Sequence, residues 1–155
     1  MGRTHTEFIA RGLIVDAGRV LLCRDIQGGY YYLPGGHIDF AERASDALAR
    51  EIMEEAGLKA IVGRLLLAIE ATFVQKGKDR HELSLVFHVE QIADPNETAD
   101  EATLPEVRSL EDQIEFAWVE LAALPETDLR PLWVKAWLAA CSADAHAATP
   151  RSRTR

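Results

Sequence analysis

The feature that most constrains this chain is the run 36–58, GHIDFAERASDALAREIMEEAGL, in which a glycine turn opens onto an acidic, helix-patterned segment that stops at another glycine. With about 100° between successive helical residues, Glu51, Glu54 and Glu55 share one face. Leu48, Ile52 and Ala56 recur every four residues on another face with Ala44 behind them, the stripe expected to pack on a sheet. The pattern predicts a helix over 44–56, with Gly57 as its left-handed stop. Like charges at this spacing repel by about 0.2–0.5 kcal/mol per pair, so the acidic patch calls for a compensating cation. Oxygen-only ligands suit Mg²⁺ or Mn²⁺. The plain alternative is a solvated face laced by Asp46–Arg50 and Arg50–Glu54 pairs four residues apart. The glycine turn weighs against it, because glycine lets backbone come close to a metal or a phosphate.

A chain of 155 residues is long enough for one domain with a real core and short for two. Residues 1–141 read as that domain and 142–155, rich in alanine and ending Arg-Ser-Arg-Thr-Arg, as a disordered tail. No apolar run approaches the ~18 residues of a membrane span, and the N-terminus lacks the apolar core of a secretory signal. With only Cys23 and Cys141, the expectation is a cytoplasmic protein with free thiols and no membrane contact. The net charge of −8 argues against a nucleic acid polymer as partner, since phosphate backbones are held by clustered Lys and Arg. A small anionic ligand remains compatible where a metal mediates.

Around the central run, residues 8–24 read as two strands turning at Asp16-Ala17-Gly18, and Tyr30-Tyr31-Tyr32-Leu33 as a short aromatic strand entering Pro34-Gly35-Gly36. Residues 60–74 read as one or two strands, with a buried helix as the alternative, forming a hairpin with a strand at 82–92, and 116–119 read as a last strand. Pro131 suits the first turn of a helix in which Trp133, Trp137 and Cys141 form a core stripe. The acidic stretch 93–115, with Glu97, Glu101, Glu111 and Asp112, is a long loop of the kind that is functional or disordered. Of the aromatic strand, Tyr31 and Tyr32 are candidates to stack a nucleobase, although a packed strand explains them as well. His37 and His81 are candidates for phosphate contact, against the plainer reading of exposed loop and strand-end histidines.

The spacing of Gly36, Glu42, Arg50, Glu51, Ile52, Glu54, Glu55, Gly57 and Leu58 resembles, position for position, the signature of the Nudix hydrolase family. Ordinary residue frequencies put a chance match on the order of one in a billion per starting position. The resemblance implies an α/β fold, an α/β/α sandwich with a mixed β-sheet between helices. It implies a pyrophosphohydrolase that cleaves the diphosphate linkage of a nucleoside diphosphate joined to another group, with a nucleoside triphosphate as the favoured substrate. ADP-ribose, nucleotide sugars, dinucleoside polyphosphates and a non-catalytic nucleotide-binding role are the alternatives. Carried over, Glu51, Glu54 and Glu55 would bind Mg²⁺, with Mn²⁺ able to substitute. Gly36 would add a backbone carbonyl, Glu42 an outer contact, and Arg50 would orient the carboxylates. Glu51 or a neighbour such as Glu54 would take the proton of the attacking water. The partner implied is a small nucleotide, and a homodimer is the assembly common among such proteins.

Overall fold

The computed structural model describes residues 5–97 and 106–147. In chain order the elements are β1 (Glu7–Leu13), β2 (Val15–Asp16), β3 (Arg19–Asp25), β4 (Tyr31–Tyr32), β5 (Gly35–His37), α1 (Ala44–Ala56), β6 (Lys59–Gln75), β7 (Lys78–Ala93) and β8 (Ile114–Glu120). A 3-10 turn at Leu121–Glu126 and α2 (Leu132–Ala147) complete it. One sheet has the order β5-β1-β7-β6 and is mixed, because β1 and β7 run parallel while β1–β5 and β6–β7 are antiparallel. A second, antiparallel sheet joins β2, β3, β4 and β8.

Strand alternation in β1 sorts its residues between two cores. Ala10 packs with Leu48 and Ile52 of α1 and with Val89, whereas Leu13 packs with Val86 of β7 and with Val134 and Leu138 of α2. The mixed sheet therefore lies between α1 and α2, the α/β/α sandwich expected. Helix α1 spans 44–56 as its periodicity predicts, and Gly57 adopts φ 68°, donating its N–H to Met53 O to close the last turn.

Several local expectations shift. The turn at residues 16–18 is real, but only Val15-Asp16 pairs with β3: β1 belongs to the other sheet, and the chain changes sheets at buried Ile14. Residues 59–75 form one long strand, carrying register shifts between Ile61 and Leu67. In α2 the core stripe lies one residue beyond the tryptophans: Val134 and Leu138 are buried, while Trp133 and Trp137 are half-buried and Cys141 is exposed. That helix also runs to Ala147, past the expected start of the tail, while residues 148–155 lie outside the described residues. So does Glu101 of the acidic loop, whose residues 106–113 form no helix or strand. Both cysteines are free thiols, Cys23 buried and Cys141 exposed. Among the described residues no helix is long and apolar enough to cross a membrane.

Candidate active site

Pairing of β5 with β1 places Gly36 opposite Ala10, at the edge of the sheet that α1 covers. A methyl group on Gly36 would stand 2.5 Å from Glu51 Cδ and 2.7 Å from both of its carboxylate oxygens. A side chain at this position would therefore push the Glu51 carboxylate out of the place it holds beside the strand end. The loop after β5 folds back on itself, with the Asp39 N–H donating to Glu42 Oε2 at 3.0 Å.

Arg50 organises the carboxylates. Its Nε donates to Glu42 Oε1 at 2.8 Å and its Nη2 to Glu42 Oε2 at 3.0 Å, a two-pronged fork. Nη1 reaches Glu51 Oε1 at 3.1 Å and Glu54 Oε2 at 3.3 Å, and Nη2 also donates to the His37 carbonyl at 3.0 Å. Asp39 Oδ2 stands 3.6 Å away. The Arg50 fork, helped by the Asp39 N–H, holds the Glu42 carboxyl down at about 2, and the same partners raise the Arg50 guanidinium. Arg50 thus turns to the loop and to its own acidic face, and among the described residues Asp46 makes no ion pair with it.

Glu55 is in a different state. Its Oε2 is buried without a hydrogen-bond partner. Burial pushes the carboxyl up to about 7, with Glu51, Glu111 and Glu54 adding to the rise and Arg11 opposing it. The Leu110 N–H donates to the Glu55 backbone carbonyl at 2.7 Å, which seats residues 106–113 beside the helix and brings in Glu111 from the acidic loop. Among the described residues no three Asp, Glu, His or Cys side chains converge to enclose a metal ion, because Glu42, Glu51 and Glu54 are gathered around the Arg50 guanidinium. The donor set nevertheless fits a hard cation. It is all oxygen, and the buried, unbonded Glu55 oxygen is the atom that a cation would satisfy.

The remaining candidates separate. Tyr32 lines a small cleft of about 20 Å³, together with Arg11, Glu82, Ser84, Arg130 and Trp133. Tyr31 instead packs into the core on the α2 side. The His37 side chain is exposed, with Nε2 3.5 Å from Glu7 Oε1. His81 is engaged through both ring nitrogens, Nδ1 with Thr6 Oγ1 at 3.1 Å and Nε2 with Glu70 Oε1 at 2.6 Å, and it is not among the residues of the cleft. Arg11 belongs to no motif, and its only sequence signal is a charge inside an otherwise apolar strand. Its Nη1 donates to the carbonyls of Leu33 at 3.2 Å and Gly35 at 3.1 Å, so it holds the backbone that leads into Gly36.

The NUDIX domain family model matches residues 5–140. A MutT-like protein of Streptomyces ambofaciens is 30% identical over 99 residues, which span 64% of this chain and 60% of that protein. The match thus covers less than two thirds of that relative's length. The fold is similar to that of the E. coli ORF135 protein, at a TM-score of 0.68 and 20% identity over 96% of each chain. It is equally similar to a MutT protein from Methanosarcina mazei Go1, at 0.69 and 19% identity over 94% of this chain and 99% of that one. With the family model matching residues 5–140 and the complete 36–58 motif at the centre of the arrangement just described, this chain belongs to the NUDIX domain family.

Proposed function

We propose that this protein is a Mg²⁺-dependent pyrophosphohydrolase that cleaves the diphosphate linkage of a nucleoside diphosphate joined to another group, with a nucleoside triphosphate as the favoured substrate. One observation carries the reading: a buried, unbonded Glu55 oxygen beside a carboxylate cluster that Arg50 holds in place next to a glycine backbone. The domain responsible is taken as residues 1–141.

Glu51, Glu54 and Glu55 would hold Mg²⁺ or Mn²⁺, with the Gly36 carbonyl and Glu42 contributing at its margin. When bound, the cation neutralises charge on the pyrophosphate oxygens and makes a coordinated water a better nucleophile. The protein's own part is to position and to take protons. Arg50 keeps Glu42 ionised and orients Glu42 and Glu51. Glu54, whose side chain is 55% exposed, or Glu51 accepts the proton as the water oxygen bonds to phosphorus. The bridging P–O bond breaks and its electron pair leaves with pyrophosphate or with the nucleoside monophosphate, according to which phosphorus the water attacks. Tyr32 stands on the nucleoside side of this centre and His37 beside the phosphates.

The test is a nucleotide panel at alkaline pH with Mg²⁺ or Mn²⁺, scored for release of a nucleoside monophosphate. Wild-type turnover far above a Glu54→Gln control is expected. Turnover indistinguishable from that control on every nucleotide sinks the reading.

A further inference from the structure

The outer edge of β6 is a long strand edge that the fold guards over only half its length. β6 ends the sheet order β5-β1-β7-β6, and among the described residues no strand lies beyond it. The other edges are short or charged: β2 and β4 have two residues and β5 three, while β8 carries Glu115 and Glu120. Within β6 the two halves differ. Register shifts between Ile61 and Leu67 disrupt the first half, an irregularity of the kind that blunts an edge. From Leu67 to Gln75 the strand pairs with β7 without a break, and its sequence, LAIEATFVQ, holds no proline, no lysine and the single charge of Glu70. Lys76 and Gly77 close the hairpin at φ 51° and 72°, a two-residue turn with Gln75 opposite Lys78. That turn decides which backbone groups bond β7. Those of Leu67, Ile69, Ala71, Phe73 and Gln75 do, so the N–H and C=O groups of Ala68, Glu70, Thr72 and Val74 point outward. Side chains sort the same way. Leu67 packs against the cluster of Val134 and Leu138, and Ile69, Ala71 and Phe73 share its half-buried face. Ala68, Glu70, Thr72 and Val74 are exposed on the other.

We propose that this edge pairs with the same edge of a second copy, antiparallel across a two-fold axis at Ala71, so that two four-stranded sheets become one. The register follows from the edge itself. With the axis at Ala71, Ala68 lies opposite the partner's Val74 and Glu70 opposite the partner's Thr72, which brings every outward-facing residue of 68–74 into the ladder. An axis at Glu70 would set that carboxylate against its own copy, and an axis at Thr72 would leave Ala68 facing the turn. At the closely spaced positions between, Ile69 meets the partner's Phe73, a β-branched residue against an aromatic, and symmetry repeats the pair. Charge singles out the same surface. Each copy carries a net charge of −8, so most of its faces repel a second one. The stretch 60–75 carries only Arg64 and Glu70, which sum to zero. A two-fold interface has to complement itself, and this edge does so in hydrogen bonds, side-chain size and charge.

The experiment is sedimentation velocity of the full chain over a wide concentration range, with two kinds of variant. Wild type is expected to be a dimer that dissociates on dilution. Thr72→Pro removes an outward-facing N–H at an edge position that a lone sheet tolerates, so it should raise the dissociation constant at least about tenfold while the thermal melt changes little. Crosslinking reads the register. Cys141 is exposed and is first replaced by Cys141→Ser. In that background Ala71→Cys puts two thiols on opposed Cα atoms about 4.5 Å apart, within disulfide reach, whereas the two copies of Thr72→Cys stand out of line. Mild oxidation should therefore link Ala71→Cys and leave Thr72→Cys unlinked, a result that decides the matter even where Thr72→Pro fails to fold. A monomer at every concentration overturns the proposal, whether hydrogen exchange finds the 68–74 amides open or covered by another segment of the chain. So does a dimer that Thr72→Pro leaves intact, or one that Ala71→Cys fails to link. None of these outcomes depends on the nucleotide reading.

Discussion

Arg50 and Glu55 stand at opposite edges of the acidic face of α1 and meet opposite electrostatic problems. Arg50 favours Glu42 as an anion, through a fork that a point charge cannot copy. Arg50→Lys is therefore expected to lower kcat about 10–100-fold, nearly as much as Arg50→Ala, with a matching rise in the Mg²⁺ concentration needed for activation. A lysine variant with wild-type kinetics would show that charge alone suffices. Glu55 is uncomfortable by design: its folded value of about 7 lies above the ordinary 4.5. An acid raised on folding costs nothing below its unfolded value, costs more as pH climbs from 4.5 to about 7, and a constant amount above. In EDTA, Glu55→Gln should thus stabilise the protein at pH 8 by about 1–2 kcal/mol, allowing for partial solvent screening, and leave it unchanged at pH 4. Melting curves at the two pH values decide this, and a gain of the same size at both would point to packing instead. None of this contrast is visible in the sequence, where Glu51, Glu54 and Glu55 look alike. Which carboxylate loses water depends on what the rest of the chain stacks over it.

At the scale of elements, α1 was legible because its signals are local. A four-residue apolar repeat and a terminal glycine both act within one helix, and Leu48, Ile52 and the αL Gly57 stand where those signals put them. Gly57→Ala forces a side chain into φ 68° and brings its Cβ to 3.4 Å from Leu110, so a loss of about 1 kcal/mol is expected in denaturant unfolding. The same change at exposed Gly18, also at positive φ but with open space around it, isolates the backbone part from the Leu110 contact. Leu48→Ala, in the buried stripe, should cost about 2–5 kcal/mol. The readings that failed depend on distant partners. The β2–β3 turn was found, but not the change of sheet at Ile14, since nothing within 8–24 says which strand lies beside β1. In α2 the tryptophans drew attention by size, whereas burial fell to the smaller Val134 and Leu138, the residues that meet β7.

For the molecule as a whole, the motif is contiguous but the site is not. Arg11 comes from β1, Gly36 from β5 and the glutamates from α1, and the parallel β1–β7 register sets Glu7 opposite Glu82, about half the chain away. The carboxylate side was therefore readable from 23 consecutive residues, while the side that Arg11 holds required a pairing that no local pattern encodes. The two sides also share a cost. Leaving Glu55 buried without a partner makes the metal-free fold less stable than it could be, and a bound cation would return that stability by mass action. Mg²⁺ at about 100 times its dissociation constant should raise wild-type stability by roughly 2.7 kcal/mol. Glu55→Gln should invert the order: more stable than wild type in EDTA at pH 8, yet gaining much less from Mg²⁺, so that the two melting temperatures converge or cross as metal is added. A purely structural Glu55 predicts parallel curves, with the variant displaced by one constant amount at every Mg²⁺ concentration. Melting across a Mg²⁺ titration separates the two without any assay of activity, and hence without knowing the substrate.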